Sequence, residues 1–290
     1  MARVTPLFAE LWRLLGDHQL SIMDTKVYLL NFGTLVLDGY MMFWGRGPSG
    51  PFRFPVYGAL VEHKEGRFLF DTGYNMEWVN NHMPGIGQQT EHQTVPGQLD
   101  MIGLRPTDID FVINSHMHVD HVGGNHFCTN ACTLCHKNEL EAYKRPEPWE
   151  APGYADRNAA PTEGDEYAPV PEEPDDRVQE IFTPRFELLS GDNEIAKGIH
   201  LFETPGHTPG HYSMMVELSG RRPMLFTGDA CYTKRSIEEN IIANAHSDVR
   251  EAHDSLQRLR DLADHHDAEL FYSHDPEAWQ GWKPAPAYYS

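Results

Sequence analysis

Apolar positions along the chain keep two periods, and their alternation outlines a mixed α/β protein. Val56 to His63 and Arg67 to Asp71 are strand-like runs separated by Lys64-Glu65-Gly66, which reads as the turn of a hairpin. Lys26 to Leu37 reads as two short strands around Asn31-Phe32-Gly33. Further strands are expected at Asp110 to Asn114, Phe186 to Leu189, His200 to Glu203, Tyr212 to Glu217, Met224 to Thr227 and Glu269 to Tyr272. Between the last two the period lengthens. Val249, Ala252, Leu256, Leu259 and Ala263 then fall on one face of a helix, with Ser247 as its expected cap.

Two segments stand apart from this pattern. Leu7 to Leu15, with Pro6 at its first turn, reads as an amphipathic helix. Glu10 and Arg13 interrupt its apolar run and no small-residue cleavage site follows, so it is not read as a signal peptide. Residues 1–22 are taken as a helical extension that packs on the domain or at the contact of a homodimer, with Met23 as an alternative start. Residues 144–180 are rich in proline and acid and poor in large aliphatics, and read as a solvated loop or a flap. No internal repeat divides the chain, so residues 23–290 are read as a single domain.

Composition narrows the function. The 290 residues are 40% hydrophobic, enough for a sizeable core, and 43 acidic against 23 basic residues give a net charge of -20. Such a field repels nucleic-acid phosphates and anionic membranes, and no run is apolar enough to span a bilayer. Four cysteines make no disulfide framework, which points to the cytoplasm. Cys128, Cys132 and Cys135 match the spacing of an iron-sulfur site, and Cys132 to His136 matches a haem attachment motif. Both matches are read as coincidence, because the stretch looks like a helix end followed by a buried strand.

The chemistry gathers at His116-Met117-His118-Val119-Asp120-His121, where three imidazoles and a carboxylate fall within six residues. His116 and His118 lie two apart, so an extended segment turns both to one side. Asp120 and His121 follow as the chain turns into Gly123-Gly124-Asn125. Farther on come His207 in Thr204-Pro205-Gly206-His207, Asp229 in Thr227-Gly228-Asp229 and His274 in Tyr272-Ser273-His274. Five imidazoles and two carboxylates form a donor set suited to two divalent metal ions, Zn2+ above all. The remaining histidines show no such spacing.

This set, in this order, resembles the dinuclear metallo-β-lactamase superfamily over nearly the whole chain after Met23. The resemblance implies an α/β fold, the four-layer αββα metallo-β-lactamase sandwich. It implies one metal held by His116, His118 and His207, another by Asp120, His121 and His274, and Asp229 as the bridge. Asp71, in Phe70-Asp71-Thr72-Gly73, matches a position that orients a ligand histidine, although a turn-capping aspartate fits it as well. Within the superfamily the chain is most similar to the lactonases, because Tyr232 stands three residues after Asp229, where those enzymes place a tyrosine over the substrate carbonyl. Thr25 to Leu30, Leu37 to Tyr40, Phe43 to Pro48 and Arg53 to Tyr57 look more like 4-pyridoxolactonase than like N-acyl-homoserine-lactone lactonases.

The expected reaction follows. Two cations acidify a shared water, and the hydroxide opens a lactone ring, with Tyr232 polarising the carbonyl and Asp120 returning a proton to the leaving oxygen. The expected substrate is a small lactone of the 4-pyridoxolactone type, with Met42, Phe43 and Trp44 as an apolar wall and Arg46 or Arg53 pairing an acidic group. His211 is expected near the site but not as a ligand. The alternatives are an N-acyl-homoserine-lactone lactonase and a glyoxalase II-like thioesterase on the same ligands. A nuclease lacks its basic surface, and a metal-free binding scaffold would have lost ligands that are all present here.

Overall fold

The computed structural model describes residues 25–154 and 185–290. The helix expected within residues 1–22, and the acidic stretch from residue 155 onward, lie outside the described residues.

Two strands, β1 (Lys26–Asp38) and β2 (Pro51–His63), pair antiparallel along their length. Lys26 to Leu37 is therefore one strand and not two. The break read at Asn31-Phe32-Gly33 is a shift of register between Asn31 and Thr34, with Gly33 at φ 101°. A bulge of this kind bends a strand without ending it. The hairpin closes with β3 (Gly66–Phe70). The short β4 (Gly87–Gln88) borders β1, while β5 (Phe111–Ile113), β6 (Cys132–His136) and β7 (Arg185–Leu189) continue in parallel from β3, giving the order β4-β1-β2-β3-β5-β6-β7. A second sheet contains β8 (Asn193–Ala196), β9 (Ile199–Glu203), β10 (Tyr212–Val216), β11 (Met224–Phe226) and β12 (Glu269–Phe271), ordered β12-β11-β10-β9-β8.

Successive strand side chains point to opposite faces, and the central strands of both sheets are buried on both, whereas the edge strand β7 is largely exposed. Val27, Leu29, Ala59, Val61, Phe68 and Phe70 meet Leu201, Met214, Val216, Met224, Phe226 and Phe271 between the sheets. The intervening Leu30, Phe32, Leu60 and Leu69 face outward under α2 (Met76–His82) and α3 (Val95–Asp100), which follow the single turn α1 (Gly39–Met42). Beyond them lie the short α4 (Val119–Val122) and α5 (Lys137–Lys144). Met215 and Leu225 on the outer face of the second sheet pack under α6 (Lys234–Glu239) and α7 (Val249–His266). The last helix, α8 (Pro276–Gly281), follows β12. These layers form an αββα sandwich.

Two local readings change. Asp248, not Ser247, caps α7, accepting from Arg250 N and Glu251 N at 2.7 and 2.9 Å. Ser247 Oγ instead donates to Gly206 O. Val249, 46% exposed, lies off the buried face that Ala252, Leu256, Leu259 and Ala263 form. The cysteines are all free, and Cys128, Cys132 and Cys135 pack in three separate apolar clusters, so they converge on nothing. Among the described residues, no helix is long and apolar enough to cross a membrane.

Candidate metal centre

The centre lies where strand ends of both sheets open into loops. β5 ends at Ile113, and Asn114 and Ser115 lead to His116 and His118; α4 then carries Asp120 and His121. His207 comes from the loop between β9 and β10, Asp229 from the turn after β11, and His274 from just beyond β12. Rigid strand ends thus hold these side chains in place.

The structure brings the seven residues together. His116, His118 and His207 form one compact group; Asp120, His121 and His274 form a second; His116, His121 and Asp229 join them. Asp229 divides its oxygens between the two. Oδ2 lies 3.3 Å from His207 Nε2 and 3.8 Å from His116 Nε2, whereas Oδ1 lies 3.1 Å from His274 Nε2 and 3.3 Å from His121 Nε2. Asp120 Oδ2 stands 3.5 Å from His274 Nε2 and 3.7 Å from His121 Nε2. His118 alone turns Nδ1 inward, 2.9 Å from His207 Nε2.

Outer partners fix which nitrogen is bare. His207 Nδ1 donates to Ala245 O at 2.8 Å, His274 Nδ1 to Pro55 O at 3.0 Å, and His121 Nδ1 to Asp71 Oδ2 at 2.8 Å. Ser115 Oγ donates to Asp71 Oδ2 and accepts from His116 Nδ1 at 2.9 Å. These bonds leave four Nε2 lone pairs aimed inward, the arrangement outer-shell partners impose on metal-binding imidazoles. Asp71 is thus an orienting carboxylate and not a turn cap alone. Asp229 is fixed in turn: its N–H donates to His211 Nε2 at 2.9 Å, and His211 Nδ1 donates to Thr204 Oγ1 at 2.8 Å. His211, as expected from sequence, supports the centre without joining a ligand group.

The residues fit a pair of cations. His116 Nε2, His121 Nε2 and Asp229 Oδ1 are buried acceptors without a hydrogen-bond partner, a costly state that a coordinated cation relieves. Burial drives His116 and His207 well below the ordinary imidazole range and His118 to about 4, which keeps them neutral and able to ligate. Burial also disfavours charge on His121 and His274, but Asp229 and Asp120 outweigh it and raise both.

Tyr232 is buried against the centre, its ring 5.1 Å from His274 and 5.9 Å from His207, with its hydroxyl facing Asp229. Burial and then Asp229 hold its phenol well above the ordinary range. The expected aromatic wall is only partly realised. Met42 and Phe43 are buried in the core, Trp44 is 45% exposed, and Arg53 bonds Thr34 Oγ1. Sequence reasoning missed Ser115, the carbonyls of Ala245 and Pro55, Tyr154 (its ring 5.0 Å from His118), and Glu139. A seryl neighbour of a ligand could have been flagged; backbone carbonyls carry no sequence signal.

The metallo-beta-lactamase superfamily model matches residues 52–274. An N-acyl homoserine lactonase from Bacillus sp is 31% identical over 274 residues, covering 91% of this chain and 98% of the relative. Another from Rhizobium radiobacter is 30% identical, covering 92% and 99%. A solved N-acyl homoserine lactone hydrolase, with its product N-hexanoyl-L-homoserine at the catalytic metal center, superposes with a TM-score of 0.76 at 28% identity, covering 93% of this chain and all of that one. With its ligand groups at the sheet ends and these relatives matched nearly end to end, the chain belongs to the metallo-beta-lactamase superfamily, in its lactonase branch.

Proposed function

We propose that this protein opens N-acyl homoserine lactones by hydrolysis, using two zinc ions held by His116, His118 and His207 on one side and Asp120, His121 and His274 on the other, with Asp229 between. The observation that carries this reading is Tyr232, seated over a centre whose bridging carboxylate it faces. The relatives, named for this substrate class, favour it over the 4-pyridoxolactone type. A cleft of about 550 Å³ elsewhere on the surface mixes Trp44, Ile241, Ile242 and Val249 with Arg46, Arg250, His253 and Asp254, and no residue of the centre lines it. Ile241 packs in the same core as Tyr232, and the segment bearing these isoleucines continues to Ala245, the partner of His207. The four free cysteines suit the reducing cytoplasm.

When bound, a pair of divalent ions supplies a water-derived nucleophile at neutral pH and positive charge beside the carbonyl. The residues supply the rest. Tyr232, kept protonated by its surroundings, donates a hydrogen bond to the carbonyl oxygen as negative charge gathers there. Asp120, at the accessible edge of the ligand set, accepts the proton of the attacking water and returns it to the ring oxygen as the C–O bond breaks. The product is an acyl-homoserine with a new carboxylate.

Specificity constants for N-hexanoyl and N-decanoyl homoserine lactones, 4-pyridoxolactone and a glutathione thioester, in one buffer with one metal, test the assignment. The acyl lactones are expected to lead; dominance of the thioester or of the pyridoxolactone would overturn it. Tyr232→Phe should retain the metals and lose roughly ten- to a thousandfold in kcat, the range for one oxyanion donor.

A further inference from the structure

Glu139 is fully buried in the first turn of α5, yet its partners are two backbone N–H groups and the Thr208 hydroxyl, and not a cation. Oε1 accepts from Met117 N at 2.9 Å, and Oε2 accepts from Gly210 N at 3.1 Å. Met117 separates His116 from His118. Gly210 lies between His207 and His211, on the loop that leads into β10. One carboxylate therefore joins the ligand-bearing segment of the first sheet to that of the second. A further bond between the same segments runs from Tyr212 N to Ser115 O at 2.8 Å. The close approach depends on the glycine: a Cβ at position 210 would lie 2.3 Å from Glu139 N and 2.6 Å from its Cβ.

A buried acid without a cation disfavours folding, and an apolar residue of similar volume would fill the space with less penalty. What the apolar residue could not do is accept two N–H groups from loops of different sheets at a fixed separation. We propose that Glu139 is a positioning residue of the metal centre, a two-oxygen clamp that sets the spacing between the His116–His118 pair and His207. This rests on the metal reading above. The three imidazoles belong to one ligand group, so their mutual distance is what the clamp fixes.

The test uses the full chain, stripped of metal and titrated with zinc alone against a competing chelator. Glu139→Gln keeps one acceptor and turns an amide N–H toward a backbone N–H. Its zinc affinity is expected to fall roughly ten- to a hundredfold, the usual effect of losing an outer-shell partner. In the zinc-loaded enzyme kcat should drop while KM stays nearly constant, and the visible spectrum of the cobalt-substituted protein should shift. Gly210→Ala pushes α5 off the loop with the carboxylate intact, and decides the matter in the same direction should Glu139→Gln fail to fold. Leu259→Ala, in the remote core under α7, is the control for loss of stability alone. Wild-type zinc affinity and kcat in both site variants, with melting lowered as in Leu259→Ala, would overturn the clamp. Failure of the wild-type protein to take up zinc would overturn the metal reading itself, a distinguishable result.

Discussion

Asp71 holds a backbone φ of 58°, a conformation that side chains other than those of asparagine and aspartate rarely adopt outside glycine. The strained position turns its carboxylate toward Ser115 N, Ser115 Oγ and His121 Nδ1, each at 2.8 Å. Asp71→Asn keeps the backbone conformation accessible but replaces one acceptor with a donor. Zinc affinity should weaken by roughly ten- to a hundredfold with an unchanged far-ultraviolet spectrum, measured by chelator competition. At this scale the ligand candidates were legible in sequence because each sits in a short run whose residue types have few other uses. Asp71 was half legible, as one carboxylate two residues before a glycine. Glu139 was not: a lone acid early in a helix looks like any solvated acid until its burial is known.

Elements were legible where the period is long and regular. α7 repeats its apolar face over eighteen residues, and Ala252, Leu256, Leu259 and Ala263 all reach the core. Leu259→Ala should cost about 2–5 kcal/mol of unfolding free energy in a denaturant titration and leave zinc affinity alone. The cap of that helix was misread because Ser247 and Asp248 are both good caps, and only tertiary bonds to Gly206 and His207 occupy the serine. β1 was divided in the reading because glycine and asparagine mark turns as often as bulges. α2 and α3, at seven and six residues, are too short for a helical period to register.

Across the whole molecule, pH reaches the fold through the buried acid of α5. Burial pushes Glu139 up to about 7, against the pull of the Thr208 hydroxyl and its two N–H donors, from an ordinary value of 4.5. The folded protein therefore binds this proton more tightly than the unfolded chain does. Stability from protonation is fully present below the unfolded value and is lost as pH rises through the folded one, an effect of about 3 kcal/mol. Glutamine does not titrate, so the stability of wild type relative to Glu139→Gln should decline between pH 5 and pH 8. The comparison cancels every other group common to both proteins.

The proposed ligands begin at His116, end at His274 and come from both sheets. Such a centre exists only after strands far apart in sequence have found each other, so a metal ion has nothing to grip in the early chain. Zinc added to refolding protein should leave the folding rate nearly unchanged and slow unfolding instead, as expected for contacts absent from the transition state. On that expectation the ions are the last component installed, and the folded sandwich is what recruits them.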